Sequence, residues 1–414
     1  MLNRCCYSKD FSISNAAVSS LLTLSTQEIY HDRFLRSGTL SALVHLLSEG
    51  SIGGRESAAR ALRHLGVSAS LRLPVHEAGA VPGLVRLLSG NSAGGRKSAA
   101  AALRNLACND SLRVLLHKAG AVPGLVHLLS VGSAGGKESA TGALRNLSCN
   151  DSLRVPLYEA GAVPGLVRLL SEGTADGMDS AAGALRNLVA NASLRVPVHK
   201  AGAVPGLVRL LSDGSVVGTE NAAGALRSLV TNATLRVPVY EAGCLPGLVH
   251  LLCVGTVGGR ESAAGVLRNL ACDDSLRVSL YEAGAVPGLV TMLSEGSAGG
   301  KETAAGALRN LVANASLRVP LHNAGAVPGL VRLLSEGSVS GQESAAGALR
   351  NLSCDNSLRV PLYEAGAAPA LVYLLSEGSS SGKDSATGAL RNLARNAECL
   401  ALMKKADEGR GVAW

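Results

Sequence analysis

The sequence predicts an all-α protein, a right-handed α-solenoid of nine 41-residue three-helix tiers with a partial layer at each end. Three observations carry this. First, Pro82, Pro123, Pro164, Pro205, Pro246, Pro287, Pro328 and Pro369 recur every 41 residues, and the remaining six prolines (74, 156, 197, 238, 320 and 361) form a second ladder of the same period. A period that never slips marks equal structural layers with no inserted domain. Second, the apolar residues within each unit follow helical spacing. Third, 47% of the chain is hydrophobic, yet it holds only two Phe, seven Tyr and one Trp. A core of Leu, Ala and Val suits thin repeated layers better than one large core.

The unit beginning at Asn150 parses into three helices. The first covers about residues 152–160: Asn150, Asp151 and Ser152 offer cap oxygens, and Pro156 is tolerated only in a first turn. Gly161 ends it, free to adopt a left-handed conformation. The second starts near Pro164 and buries Val163, Leu166, Val167, Leu169 and Leu170 as one stripe. A Gly-rich loop at 171–177 follows. The third runs over about 179–188, with Ala181, Ala184, Leu185 and Leu188 as its core face and Asp179, Gly183, Arg186 and Asn187 on the other. No unit can bury its stripes alone, so stability comes from stacking on neighbours.

The predicted organisation is a disordered tail at 1–12, a partial capping helix at 13–25, and nine repeats over 26–394. Their bounds are 26–66, 67–107, 108–148, 149–189, 190–230, 231–271, 272–312, 313–353 and 354–394, and a capping helix and tail fill 395–414. No stretch is long and apolar enough to predict a membrane span, and residues 1–20 lack the pattern of a secretory signal. Cys108, Cys149, Cys272 and Cys354 share one repeat position. Layers about 10 Å apart exceed the ~7 Å limit for a disulfide, so reduced thiols and a cytoplasmic or nuclear location are expected. The sequons at Asn191, Asn232 and Asn314 are then by-products of the repeat.

The run AGAVPGLVRLLSEG followed by SAAGALRNL resembles the armadillo repeat in all three helices, over about residues 13–407. The closest flavour is the armadillo array of plant-type U-box ubiquitin ligases and of the fungal vacuole-surface armadillo protein. The similarity lies in the repeat alone, and the 25 residues before the array are too few for a U-box. The resemblance implies that third helices line a concave groove in which an extended peptide lies, its backbone paired with a ladder of Asn side chains. The matching positions are Asn105, Asn146, Asn187, Asn269, Asn310, Asn351 and Asn392, with His64 and Ser228 breaking the ladder. An amide can donate to and accept from a peptide bond without reading sequence. Four residues earlier, importin-α-like arrays carry Trp. Here the position holds Arg60, Ala101 and then glycine from Gly142 to Gly388. That departure argues against a nuclear-transport receptor for basic peptides, because lysine stems have no aromatic walls.

The net charge of +8 is placed by the repeat. An Arg precedes each Asn position: Arg63, Arg104, Arg145, Arg186, Arg227, Arg268, Arg309, Arg350 and Arg391. Two readings stand side by side. The ladder binds carboxylates of a partner, or it pairs with the acids that begin the third helices (Glu56, Glu138, Asp179, Glu220, Glu261, Glu302, Glu343 and Asp384), a series broken only by Lys97. A second ladder, Arg72 to Arg359, sits in the first helices and is expected to face solvent or to stabilise the ridge. GSAGGKES at 132–139 mimics a phosphate loop but fails on spacing and context. His76, His117, His199 and His322 share a position with tyrosines and read as packing residues. No metal site, cofactor or catalytic constellation rises above the repeat.

The function expected is therefore a non-enzymatic, monomeric protein-interaction scaffold that binds an extended, acidic segment of another protein. The alternatives are a substrate-recruiting adaptor for the ubiquitin-ligation machinery and, less favoured, nuclear transport; nucleic acid is disfavoured. Cys5 and Cys6 beside Arg4 are candidate acylation sites, and membrane contact is expected only if they are lipidated.

Overall fold

The computed structural model describes residues 1–407. Arg410 and Trp414 of the expected C-terminal tail lie outside the described residues. The chain divides into two compact units, one over residues 1–210 and one from Leu211 onward. The described residues contain helices, turns and loops but no strand.

One tier shows how the local chemistry works. Asn150 accepts the Ser152 N–H at 3.0 Å and opens a 3₁₀ turn, Asp151–Leu153, which runs into the helix Arg154–Glu159. Pro156 falls in the first turn of that helix, where its missing N–H costs nothing. Gly161 takes φ of 80°, a conformation that disfavours a Cβ, and turns the chain into Ala162–Glu172. The third helix is Ala175–Ala190. Leu157, Leu166, Leu170, Leu185 and Leu188 are all at most 1% exposed. Each such burial is worth about 1.5–3 kcal/mol.

The third helices start earlier than the sequence suggests. Ser133 caps Ala134–Ser148 by accepting the Gly136 N–H, and Thr174 caps Ala175–Ala190 by accepting that of Gly177. The segment read as a Gly-rich loop is thus the first helical turn, closed by a Ser/Thr-x-x-Gly cap. Glu138 and Asp179 consequently sit one turn inside, so the helix dipole is not what places them.

In the first unit the helices Phe11–Ser25, Ile52–Leu65, Ala93–Leu106, Ala134–Ser148 and Ala175–Ala190 stand side by side. In the second, Val216–Leu229, Val257–Leu270, Ala298–Leu311, Val339–Leu352 and Ser380–Ala394 do the same. The second helices approach even more closely. A Cβ on Gly165 would lie 2.7 Å from Cδ1 and 2.9 Å from Cβ of Leu129, and Gly83, Gly124, Gly206, Gly247, Gly288 and Gly329 repeat that contact with the preceding tier.

The N-terminal residues differ from expectation. The segment 1–12, read as a disordered tail, forms a short helix, Leu2–Cys5, and leads into Phe11–Ser25. Asn3 donates to the Ser37 carbonyl at 2.6 Å, and Tyr7 stacks against His45 with ring centroids 4.6 Å apart. The repeat pattern carries no information about this non-repeating segment. At the other end, Ala397–Asp407 closes the array, burying Cys399 and Met403. No single described helix is long and apolar enough to cross a membrane.

Candidate functional site

The third helices present one polar stripe, in most tiers an acid, a glycine, an Arg and an Asn, followed in four tiers by a Cys. Much of that stripe reaches across to a neighbouring tier. Asn146 donates from Nδ2 to the Arg104 carbonyl at 2.9 Å, and Asn105 to that of Arg63 at 2.8 Å. Asn187, Asn269, Asn310, Asn351 and Asn392 make the same bond to Arg145, Arg227, Arg268, Arg309 and Arg350, at 2.9–3.5 Å. These carbonyls lie in the last turn of a helix, where some also accept from a side chain of their own tier, Arg145 from Ser148 at 2.7 Å and Arg350 from Ser353 at 2.8 Å. One amide proton of each Asn is therefore committed to the scaffold, a use the sequence reading missed. In four tiers the same nitrogen also donates to a side chain of the tier before, Asn146 to Cys108 at 3.2 Å, Asn187 to Ser148 at 3.0 Å, Asn310 to Cys272 at 3.2 Å and Asn392 to Ser353 at 3.2 Å. The carbonyl oxygens remain for other work, and all seven side chains stay half-buried at the surface.

The acids are engaged elsewhere than on the Arg ladder. Ser92 donates to Glu56 at 2.7 Å, Thr174 to Glu138 at 3.2 Å, Thr256 to Glu220 at 2.9 Å, Ser338 to Glu302 at 2.7 Å and Ser379 to Glu343 at 2.6 Å. Ser297 donates to Glu261 in the same way. In each pair a hydroxyl capping one third helix hands its own proton to the acid of the tier before. Asn15 plays the acid's part for Ser51, at 2.8 Å. For five rungs of the ladder, self-pairing of Arg and acid is thus not the arrangement found. Arg104, Arg227, Arg268, Arg309 and Arg350 have no carboxylate within 4.0 Å among the described residues.

Their stems rest instead on the glycines. A Cβ on Gly142 would lie 2.7 Å from Arg104 Cδ and Nε. Gly265, Gly306, Gly347 and Gly388 bear the same relation to Arg227, Arg268, Arg309 and Arg350, at 2.7–3.0 Å. The position that holds Trp in importin-α-like arrays is here a bare patch of backbone on which the preceding tier's Arg lies flat. Arg104, Arg227, Arg309 and Arg350 remain exposed, and Arg145 and Arg268 are half-buried.

The first-helix Arg ladder serves the scaffold. Arg113 and Arg277 donate from Nε to the carbonyls of Ala107 and Ala271 at 3.0 and 2.9 Å, and Arg72, Arg154, Arg195, Arg236, Arg318 and Arg359 repeat this. Where an acid stands three residues earlier, an ion pair forms: Arg113–Asp110 at 2.7 Å, Arg154–Asp151 at 2.5 Å and Arg277–Asp274 at 2.6 Å.

The cysteines sort by burial. Cys108, Cys149, Cys272 and Cys354 are exposed free thiols, and the next tier's Asn touches each sulfur, as Asn146 does Cys108 at 3.2 Å. Of the two acylation candidates, Cys5 is partly exposed, but Cys6 is 1% exposed, and burial pushes its thiol up to about 11. Cys6 does not offer its sulfur for lipidation in this fold. No group of three or more His, Cys, Asp or Glu among the described residues is placed to hold a metal ion.

These tiers define the class: a helical-repeat solenoid whose third helices present a regular polar face. The Armadillo/beta-catenin-like repeat model matches residues 72–108, 109–149, 197–231, 235–272, 273–313, 322–354 and 355–395. The chain belongs to that family. The unmatched residues 150–196 carry the same three-helix tier described above. Among solved structures, the crystal structure of an engineered protein from the Northeast Structural Genomics Consortium is similar, at 28% identity and a TM-score of 0.85, covering 95% of this chain and 98% of that one. No curated protein matches the sequence. The fold is a typical protein-interaction scaffold, and its repeats generally bind peptide segments of other proteins.

Proposed function

We propose that this protein is a non-catalytic scaffold whose third-helix face holds an extended, acidic segment of a partner protein. The observation that carries the reading is the state of the Arg ladder. Its stems cross the bare backbone of glycines at regular spacing, while the nearby acids accept from capping hydroxyls instead of pairing with these guanidiniums. A planar, permanently charged group at the surface can accept a carboxylate in bidentate fashion. The Asn amides add backbone recognition through their carbonyl oxygens, which can accept from a partner's N–H groups. Tiers about 10 Å apart match about three residues of extended chain, so affinity accumulates over weak, repeated contacts.

The test uses fluorescein-labelled peptides of about 12 residues, the length that spans four such tiers, carrying Glu, Ser or Lys at every third position. Anisotropy should rise with the Glu peptide, with affinity falling as salt increases, and stay flat with the Lys peptide. Preference for the Lys peptide would overturn the reading. A substrate adaptor for ubiquitin ligation is a special case of the same surface, distinguished by recovery of a ubiquitin ligase in a crosslinking experiment.

A further inference from the structure

The face is not electrostatically uniform, although the repeat is. From the third tier onward each third helix carries one acid and one Arg on the stripe, as Glu138 with Arg145 does. The first two tiers break this in the same direction. Arg60 replaces the small residue of the stripe, and Lys97 replaces the acid. On the stripe, Ile52–Leu65 and Ala93–Leu106 together then carry four cations (Arg60, Arg63, Lys97 and Arg104) against one carboxylate, Glu56, which accepts from Ser92. Two further cations of these helices, Arg55 and Arg96, are held by the carbonyls of Gly50 and Gly90.

The register places the cations on adjoining helices. A Cβ on Gly94 would lie 2.2 Å from the Glu56 carboxylate, so residue i of one third helix faces i+38 of the next. That register sets Arg60 opposite Ser98, the neighbour of Lys97. Lys97 and Arg104 both lean toward the third tier, Lys97 over Gly135 and Arg104 over Gly142. Arg60, Lys97 and Arg104 are exposed, and Arg63 is half-buried. His64 senses the same field: burial first, then Arg63 and Arg60, hold its imidazolium below the usual range.

Resting on the acidic-segment reading above, we infer that these two tiers anchor the partner through a short run of consecutive carboxylates, which fixes its register on the less basic tiers beyond. A peptide fits better than a nucleic acid. A polyphosphate would need positive potential to continue, but the next helix offers Glu138 beside its Arg. A membrane surface would meet the same acid.

The experiment measures binding of a fluorescein-labelled 12-residue peptide with four consecutive Glu in a Gly-Ser background. It compares the wild type, the double variant Arg60→Ala with Lys97→Glu, and the double variant Arg268→Ala with Arg309→Ala. The first variant installs residues that other tiers already carry at those positions, so circular dichroism should be unchanged. Affinity is expected to fall at least tenfold in the first variant and less than threefold in the second. A similar loss in both, or a loss only in the second, would overturn the anchor while leaving the ladder intact. No binding to the wild type would overturn the ladder itself. A single-stranded DNA or anionic vesicle that binds as tightly, and is lost in the first variant, would overturn the peptide assignment.

Discussion

Arg104 lies flat on Gly142, close enough that a Cβ there would sit 2.7 Å from its Cδ and Nε. Gly165 meets Leu129 at the same distance, but the obstacle is different in kind. The Arg104 stem is exposed and can swing into solvent, whereas Leu129 is fully buried. Gly142→Ala should therefore leave the thermal midpoint unchanged or higher, because alanine in a helix gains about 0.5–1 kcal/mol over glycine. Gly165→Ala should cost about 1–3 kcal/mol through overpacking. Denaturant unfolding of the two variants checks the contrast; equal destabilisation would show that Arg104 is as confined as Leu129.

Asn146 should stabilise the stack whether or not a partner binds. Asn146→Ala removes the bond to the Arg104 carbonyl and should cost about 0.5–1.5 kcal/mol. Asn146→Asp should cost more, because it replaces the donor with a carboxylate facing that carbonyl. If both variants unfold with the wild type, the amide contributes nothing to stacking and serves binding alone.

Thr174 joins two functions, capping its own helix and donating to Glu138. Thr174→Ala should lose about 0.5–2 kcal/mol. Thr174→Ser keeps both bonds and should recover most of that. Failure of serine to recover it would locate the effect in the lost methyl group.

Thiol reactivity should follow burial. Cys244 is fully buried, and its thiol is pushed up to about 12. Iodoacetamide at pH 8 should modify Cys108, Cys149, Cys253, Cys272 and Cys354 in the native protein, and reach Cys6, Cys244 and Cys399 only after unfolding. Peptide mass mapping reads this directly; early labelling of Cys244 would contradict its packing between the helices.

Asp273 and Asp355 accept hydrogen bonds from Ser275 and Ser357, which hold both carboxyls below the usual range, helped by the guanidiniums Arg236 and Arg277 for one and Arg318 and Arg359 for the other. Their folded values lie below the unfolded ones. Their contribution to stability is thus present above the ordinary Asp range near pH 3.9 and is lost as pH falls through the depressed folded values. Carboxyl NMR titration should place both below the ordinary value, and Ser275→Ala should return Asp273 toward it.

The period, the helix order and the stacking core were legible because the prolines, Gly161 and the spacing of Leu185 and Leu188 are local signals copied nine times. The start of the third helix was not, because a Gly-rich segment reads as loop until its Ser/Thr cap is seen to close on the glycine three residues on. The site was half legible. The repeat phase brought out the Arg ladder and the armadillo resemblance the Asn ladder, but neither showed what holds them. Arg104 meets Gly142, and Glu56 meets Ser92, across tiers 38 and 36 residues apart in the chain. The clue was present in the sequence: from Gly142 onward a Gly stands where the preceding tier's Arg crosses, although Ala101 holds that place after Arg63. The burial of Cys6 had no such signal, since residues 1–12 follow no repeat.

The central claim is that guanidiniums laid on the third-helix face hold the carboxylates of an extended partner. Its most direct test is the affinity of the peptide with Glu at every third position for the wild type and for Arg63, Arg104 and Arg145 changed together to Ala, with folding confirmed by circular dichroism. The account predicts at least a tenfold weaker Kd, about 1.4 kcal/mol, and a shallower dependence on salt. An unchanged Kd with an unchanged salt slope would contradict it.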